Sequence, residues 1–198
     1  MDMRTGIAVT GGPENHLLAD VSAAMGRLYN LPSGSWVSTE SMSVDSQVGI
    51  EKSIGYLTHF QSGVSMVWGA GQLESELTIS PAQAVIDNET ISYARRYLRG
   101  VTVDDETLAV DVIRSVGIAG SFLGDAHTMK HFRTELFDPS LLFRKTREAW
   151  DKGGSLTLAQ RAEQVSEELM QKEVPQTLTE DQKKELLKIE AAFLERIR

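Results

Sequence analysis

Apolar residues in this chain recur in two alternating rhythms. Three short segments, residues 6–12 (GIAVTGG), 35–41 (SWVSTES) and 65–71 (SMVWGAG), each run a β-prone apolar stretch into small or polar residues. Their starting points give a repeat of about thirty residues, the length of one supersecondary unit. Between them the apolar spacing becomes helical. Leu17, Leu18, Val21, Met25 and Leu28 follow Pro13, and proline suits a first helical turn because its missing N–H has no intrahelical partner there. The second interval opens near Asp45, carries Val48, Ile54, Leu57 and Phe60, and stops at Gly63. The pattern predicts strands near 6–10, 35–39 and 65–69, joined by two helices.

Strand–helix units repeated at this interval need a parallel sheet, because each crossover returns the chain to the same sheet end. A doubly wound sheet and a (β/α)8 TIM-type barrel both satisfy this. The first turn reads Gly11-Gly12-Pro13 and lacks G-x-G-x-x-G, so dinucleotide binding has weak support. Polar strand ends at Thr10, Thr39–Ser41 and Gln72–Glu74 fit a barrel, whose C-terminal strand ends build the site. A closed barrel takes about 250 residues, so three units must be completed by more chain or by association.

Beyond Ser80 the pattern is helical. Ser80 and Pro81 open a helix to Leu98, with Gly100 as its stop. Val103–Val116 reads as one helix with Asp104, Asp105 and Glu106 at its positive end. Gly117, Gly120 and Gly124 break the chain, and residues 125–150 are mixed. Amphipathic helices over 156–172 and 179–197 finish it, the second with a capping box at Thr179 and Gln182. The expected organisation is a barrel portion, 1–150, followed by a helical extension, 151–198, packing on the barrel or on a partner.

Composition narrows the function. With 20 basic against 28 acidic residues, the net charge of −8 argues against nucleic-acid binding. No apolar run is long enough to span a bilayer, and the N-terminus lacks a signal-peptide pattern. The absence of cysteine excludes disulfides and thiolate chemistry. A cytoplasmic protein is expected.

Several strings carry a family likeness: Gly11-Gly12-Pro13-Glu14-Asn15, residues 45–52 (DSQVGIEK), Gly71-Gln72-Leu73-Glu74-Ser75, and Val85-Ile86-Asp87-Asn88-Glu89. Residues 103–109 (VDDETLA), Phe122-Leu123 through His127-Thr128, Phe132-Arg133 and Glu135 continue it in the same order. From about residue 6 to 170 the sequence resembles the C-terminal half of the trimethylamine methyltransferase family. The resemblance implies a (β/α)8 barrel and a methylated amine as methyl donor. It also implies a corrinoid (cobalamin) on a separate partner protein as methyl acceptor, with no cofactor bound by this chain. Some family members carry pyrrolysine just before the Asp-x-Gln segment. Met42 stands at or next to that position, so the chain resembles the non-pyrrolysine branch, like glycine betaine methyltransferases.

The candidate residues fall at the strand ends. Glu40, Asp45, Gln47 and Glu74 are the catalytic candidates, and Trp36, Trp68, Gly11 and Gly12 the substrate-binding ones. Carboxylates and aromatic faces attract a quaternary ammonium ion. Each has a plainer reading: Asp45 as a helix cap, Glu51 nearby as a solvated helix residue, the tryptophans as packing, the glycines as turn residues needing positive φ or close approach. His127, His131 and Glu135 share one helix face at metal-ligand spacing but lack the H-E-x-x-H form. Packing or hydrogen bonding is expected of these imidazoles, and no tightly bound metal. The family resemblance also argues against a metal-dependent hydrolase using His127 and His131. The alternative to an enzyme is a non-catalytic piece that self-associates or needs another chain to complete its barrel.

Overall fold

Gly12 and Pro13 open helix α1 (Pro13–Leu28), with Gly12 in extended geometry as N-cap and proline at the first position. The computed structural model describes residues 1–173 and 177–197. Strand β1 (Gly34–Trp36) follows, then helix α2 (Ser46–Gln61), then strand β2 (Met66–Trp68). β1 and β2 pair in parallel, with Gly34 opposite Met66, Ser35 opposite Val67 and Trp36 opposite Trp68. This is one β–α–β unit of the expected kind. The predicted strand at 6–10 does not form. Residues 6–9 have no ladder partner, and the backbone N–H groups of Thr10 and Gly11 are taken by the Glu40 carboxylate instead of by a neighbouring strand. Among the described residues the parallel sheet has two strands, and no barrel closes.

Strand β3 (Gln72–Leu73) and strand β4 (Thr78–Ile79) form a small antiparallel pair around a 3-10 turn. Helix α3 (Pro81–Arg99) starts where expected, with the Ser80 hydroxyl accepting from the Gln83 N–H. The predicted helix at 103–116 is instead two short helices, α4 (Asp105–Leu108) and α5 (Val110–Val116). Ala109 between them takes left-handed geometry and breaks the ladder. Helices α6 (Ala126–Glu135), α7 (Arg147–Lys152), α8 (Leu158–Met170) and α9 (Glu180–Arg196) complete the sequence of elements. The described residues contain no helix long and apolar enough to cross a membrane.

The chain forms two compact units, Met1–Ser166 and Glu167–Arg198. In the larger, α2 and α3 cover one face of the parallel sheet. Val37, Tyr56 and Ala94 are buried there against Leu57, Phe60, Val67 and Ile91. A second cluster of Ile86, Leu141 and Ala162 joins α3 to the first turns of α8. In the smaller unit α9 begins with the expected capping box of Thr179 and Gln182 and buries no residue. The apolar stripe of α1 is a surprise: Leu17, Leu18, Val21, Met25 and Leu28 are exposed, while His16, Ala19 and Ala23 are buried.

Candidate active site at the strand ends

The chain leaves β1 through Val37, Ser38 and Thr39, all fully buried, so its polar backbone must find partners. The Ser75 N–H donates to the Thr39 carbonyl and the Glu74 N–H to the Ser41 carbonyl, both at 2.8 Å. The Glu40 N–H donates to Glu51 Oε2 at 3.1 Å, and the Thr39 hydroxyl donates to the same carboxylate. Gln47 Nε2 donates to Glu51 Oε1 at 3.0 Å. Glu51, read above as a solvated helix residue, therefore anchors the strand exit.

Glu40 reaches in the opposite direction. Its Oε1 accepts from Gly11 N at 2.8 Å, Thr10 Oγ1 at 3.2 Å and Thr10 N. Asp45 caps α2: its Oδ1 accepts from the backbone N–H of Gln47 at 2.9 Å and Val48 at 3.2 Å, and from Ser41 Oγ at 3.0 Å. The bond from Val48, with further donation by Ser41, Ser43 and Gln47, holds the Asp45 carboxyl below its ordinary range. Glu74 accepts from the Thr78 hydroxyl at 2.7 Å. Glu74, Ser75 and Glu76 all have positive φ, 52°, 49° and 78°, a run that non-glycine residues rarely adopt.

Glu40, Asp45, Gln47, Glu74 and Gly11 thus belong to one hydrogen-bonded network with Thr39, Ser41 and Glu51. Gly11 is required by close approach, not by positive φ: a Cβ there would meet Thr39 Cα at 2.8 Å and the Ser38 carbonyl at 2.9 Å. Gly12 is pressed in the same way against Val9. Gly11 serves the packing of the β1 exit, and Gly12 that of the turn into α1 against the Val9 side chain.

Trp36 and Trp68 are not core. Ser35 and Val67 turn toward the helices, so the alternating pleat sends the two indoles to the other sheet face. There they are 39% and 44% exposed, stacked at 6.2 Å between centroids and 16° between planes. The result is an exposed aromatic surface on the outer face of the strand pair, with the Trp68 ring lying over Gly34.

Beneath the exit of β2 lies a buried ion pair. Lys52 Nζ is 2.6 Å from Asp87 Oδ2 and donates to the Gly69 carbonyl at 2.9 Å. Asp87 also accepts from the Gly71 N–H at 2.7 Å and from Gln83 Nε2 at 2.8 Å. Burial lowers the Lys52 ammonium pKa, and the Asp87 charge offsets this in part. Burial, reinforced by Asp87, raises the Tyr56 hydroxyl alongside. Together these contacts clamp the Gly69–Gly71 turn that leads to Glu74. Gly69, at φ 107°, touches the Val37 carbonyl too closely to carry a side chain. Asp87 and Lys52 lay inside the family-like strings without being marked as functional. The available signal was a lysine on the same helical line as Val48, Tyr56 and His59.

The His127–His131–Glu135 trio does not form. Glu135 pairs with Arg96 at 3.5 Å and Arg99 at 3.4 Å, and Arg96 and Arg99 also donate to carbonyls of Glu135 and Thr134. These arginines brace α3 against α6.

A parallel strand pair joined by a helix, with polar residues held in one network at the strand exits, makes this a mixed, helix-dominated α/β chain. The family model described as trimethylamine methyltransferase (MTTB) matches residues 1–196, and the chain belongs to that family. It is 37% identical over 184 residues to a trimethylamine methyltransferase of Desulfitobacterium hafniense, a match covering 91% of this chain and 36% of that protein. A trimethylamine methyltransferase of Methanosarcina thermophila is 37% identical over 80% of the chain and 33% of its own length. A glycine betaine methyltransferase of Desulfitobacterium hafniense is 33% identical over 89% of the chain and 37% of its own length. The chain spans about a third of the length of these relatives, less than the half that the motif order suggested.

Proposed function

We propose that this chain supplies part of the substrate site of a cytoplasmic methyltransferase that moves a methyl group from a methylated, quaternary amine to a corrinoid protein. The observation that carries this reading is the exposed indole pair Trp36–Trp68 on the two strands whose exits lead into the Glu40–Asp45–Glu74 network, in a chain of this family. A quaternary ammonium ion is attracted to an aromatic face, and a carboxylate nearby adds charge attraction. Breaking one C–N bond leaves its electron pair on nitrogen, so the departing amine is neutral and needs no proton. The partner's corrinoid supplies the nucleophile for the methyl carbon. The protein's task is to position the cation and exclude water.

The contacts divide the candidate residues into two roles. Glu40, Asp45, Glu51 and Gln47 hold the loops, since their polar atoms engage backbone and one another. Trp36, Trp68 and Glu74 are the residues proposed to meet the amine. A second reading, in which the chain acts only as a piece of a larger assembly, is favoured by the exposed stripe of α1.

The test is a chimera in which this chain replaces the matching third of the glycine betaine methyltransferase, assayed with reduced corrinoid protein. Methylation of the corrinoid by a quaternary amine, read by visible absorbance, is the expected result. Trp36→Leu or Trp68→Leu should each lower kcat/KM by about 5- to 30-fold, the size of a desolvated cation–π contact. If no amine methylates the corrinoid, the enzyme reading fails. If activity appears and survives both tryptophan changes and Glu74→Gln, the substrate lies elsewhere.

A further inference from the structure

His127 and His131 lie one turn apart on α6, with ring centroids 4.4 Å apart. The third donor that spacing nominated, Glu135, is turned away to Arg96 and Arg99. Another takes its place from a different helix. Glu106 Oε1, on α4, is 3.1 Å from His131 Nε2, and the Glu106 carbonyl oxygen is 2.8 Å from His127 Nε2. One nitrogen of each imidazole and one Glu106 carboxylate oxygen all lie within 4.8 Å of one another. Tetrahedral coordination at ~2.0–2.1 Å sets ligand atoms about 3.3 Å apart, so the trio needs to close by about 1.5 Å at most, within side-chain reach.

The surroundings supply an independent reason. Helices α4, α5 and α6 bury no residue. In the glycine-broken link between α5 and α6, Ile118 and Leu123 are exposed. A segment that buries so little apolar surface lacks the usual means of staying folded, and a bound metal is a common substitute for a core. A cleft of about 390 Å³, lined in part by Asp105, Glu106, Asp111 and His127, opens beside the trio and offers an acidic approach for a cation.

The geometry points to a divalent transition-metal site at Glu106, His127 and His131, of the borderline N/O kind that takes Zn²⁺, fastening α4 to α6. This departs from the expectation of no metal, which rested on the one-helix trio. It is also independent of the methyl-transfer reading. Lys130 Nζ, 2.6 Å from the same Glu106 oxygen, is the cation that partners the carboxylate without metal. It must swing out when a metal binds, so it opposes binding by like-charge repulsion.

The probe is Zn²⁺ alone, titrated by calorimetry into chelator-stripped chain. One Zn²⁺ per chain is expected. His127→Gln and His131→Gln should each weaken binding by about tenfold or more, Glu135→Gln should leave it unchanged, and Lys130→Met should tighten it. Zinc should also protect the 109–125 link from proteolysis in the parent chain and not in the histidine variants. Independently of any variant, the Co²⁺-loaded parent should show the intense visible absorption of a four-coordinate ion. Absence of stoichiometric zinc, binding that survives both histidine changes, or a pale six-coordinate cobalt spectrum would each overturn the proposal.

Discussion

Lys52 shows why a residue's role can be half visible. It stands four residues after Val48 and four before Tyr56, on a helical line that is otherwise buried. A charge on such a line must be paired, because an isolated buried ammonium is too costly to keep. Its partner Asp87 lies 35 positions along, on another helix, and only folding brings the two together. Local reading therefore flags the lysine and cannot name the carboxylate. Glu40 and Glu51 were legible as strand-end and helix acids, but their backbone partners were not, since those depend on how two loops meet. The pair makes a defined prediction. Lys52→Met or Asp87→Leu alone leaves an uncompensated buried charge and should cost about 3–5 kcal/mol. The double variant should recover part of that loss, because the Gly71 N–H, the Gly69 carbonyl and the Gln83 amide stay buried without their partners. Urea unfolding of the four proteins measures the coupling, and simple additivity of the single losses would mean the pair is not energetically linked.

At the scale of elements, helix starts were readable because their signals are local. Pro13, Asp45, Ser80 with Pro81, and Thr179 with Gln182 all act within one turn of the end they mark. The strand at 6–10 was misread because a strand exists only through its neighbour, and here Glu40 takes the N–H groups that a neighbour would pair. The face of α1 was also misassigned: in place of its leucine stripe, His16, Ala19 and Ala23 face inward. His16 meets His59 of α2 edge-on at 5.6 Å, and His59 in turn contacts Ser35 Oγ on β1 at 3.0 Å. Burial depresses the pKa of both imidazoles. At His16 the backbone of Glu51 and then the carboxylates of Glu40 and Glu51 partly counter this; at His59 the backbone of Gly55 partly counters it and the neighbouring His16 adds to it. Both are then neutral in the fold at a pH where the unfolded chain protonates them, so the unfolded state binds more protons. Stability should be level above the ordinary histidine value of 6.5 and fall as pH drops below it, until the folded values are reached. The slope in that window can reach about 1.4 kcal/mol per pH unit for each imidazole. Melts from pH 7.5 to 5 check this. His16→Gln with His59→Gln should flatten the decline, and an unchanged slope would assign it to other groups.

At the scale of the molecule, the parallel sheet is covered by helices on one face and presents Trp36, Met66 and Trp68 on the other. Leu17, Leu18 and Leu28 of α1 are 66%, 67% and 71% exposed. Exposed apolar surface on this scale is ordinarily covered by more protein, and the two-stranded sheet leaves ladder edges that can accept another strand. The chain on its own should therefore self-associate at micromolar concentration, and Leu18→Glu with Val21→Lys should reduce that tendency. Sedimentation velocity decides it: a stable monomer of 21.8 kDa in the parent chain would show that these surfaces are tolerated in water. The buried ion pair has a consequence here too. Lys52 is 1% exposed, whereas Lys152 and Lys184 lie open on the surface. An amine-acylating reagent reaches the latter two at once, but reaches Lys52 only during moments when α2 parts from α3. The acylation of that single nitrogen is a built-in clock for opening, and its rate under native conditions reports how often the molecule comes apart.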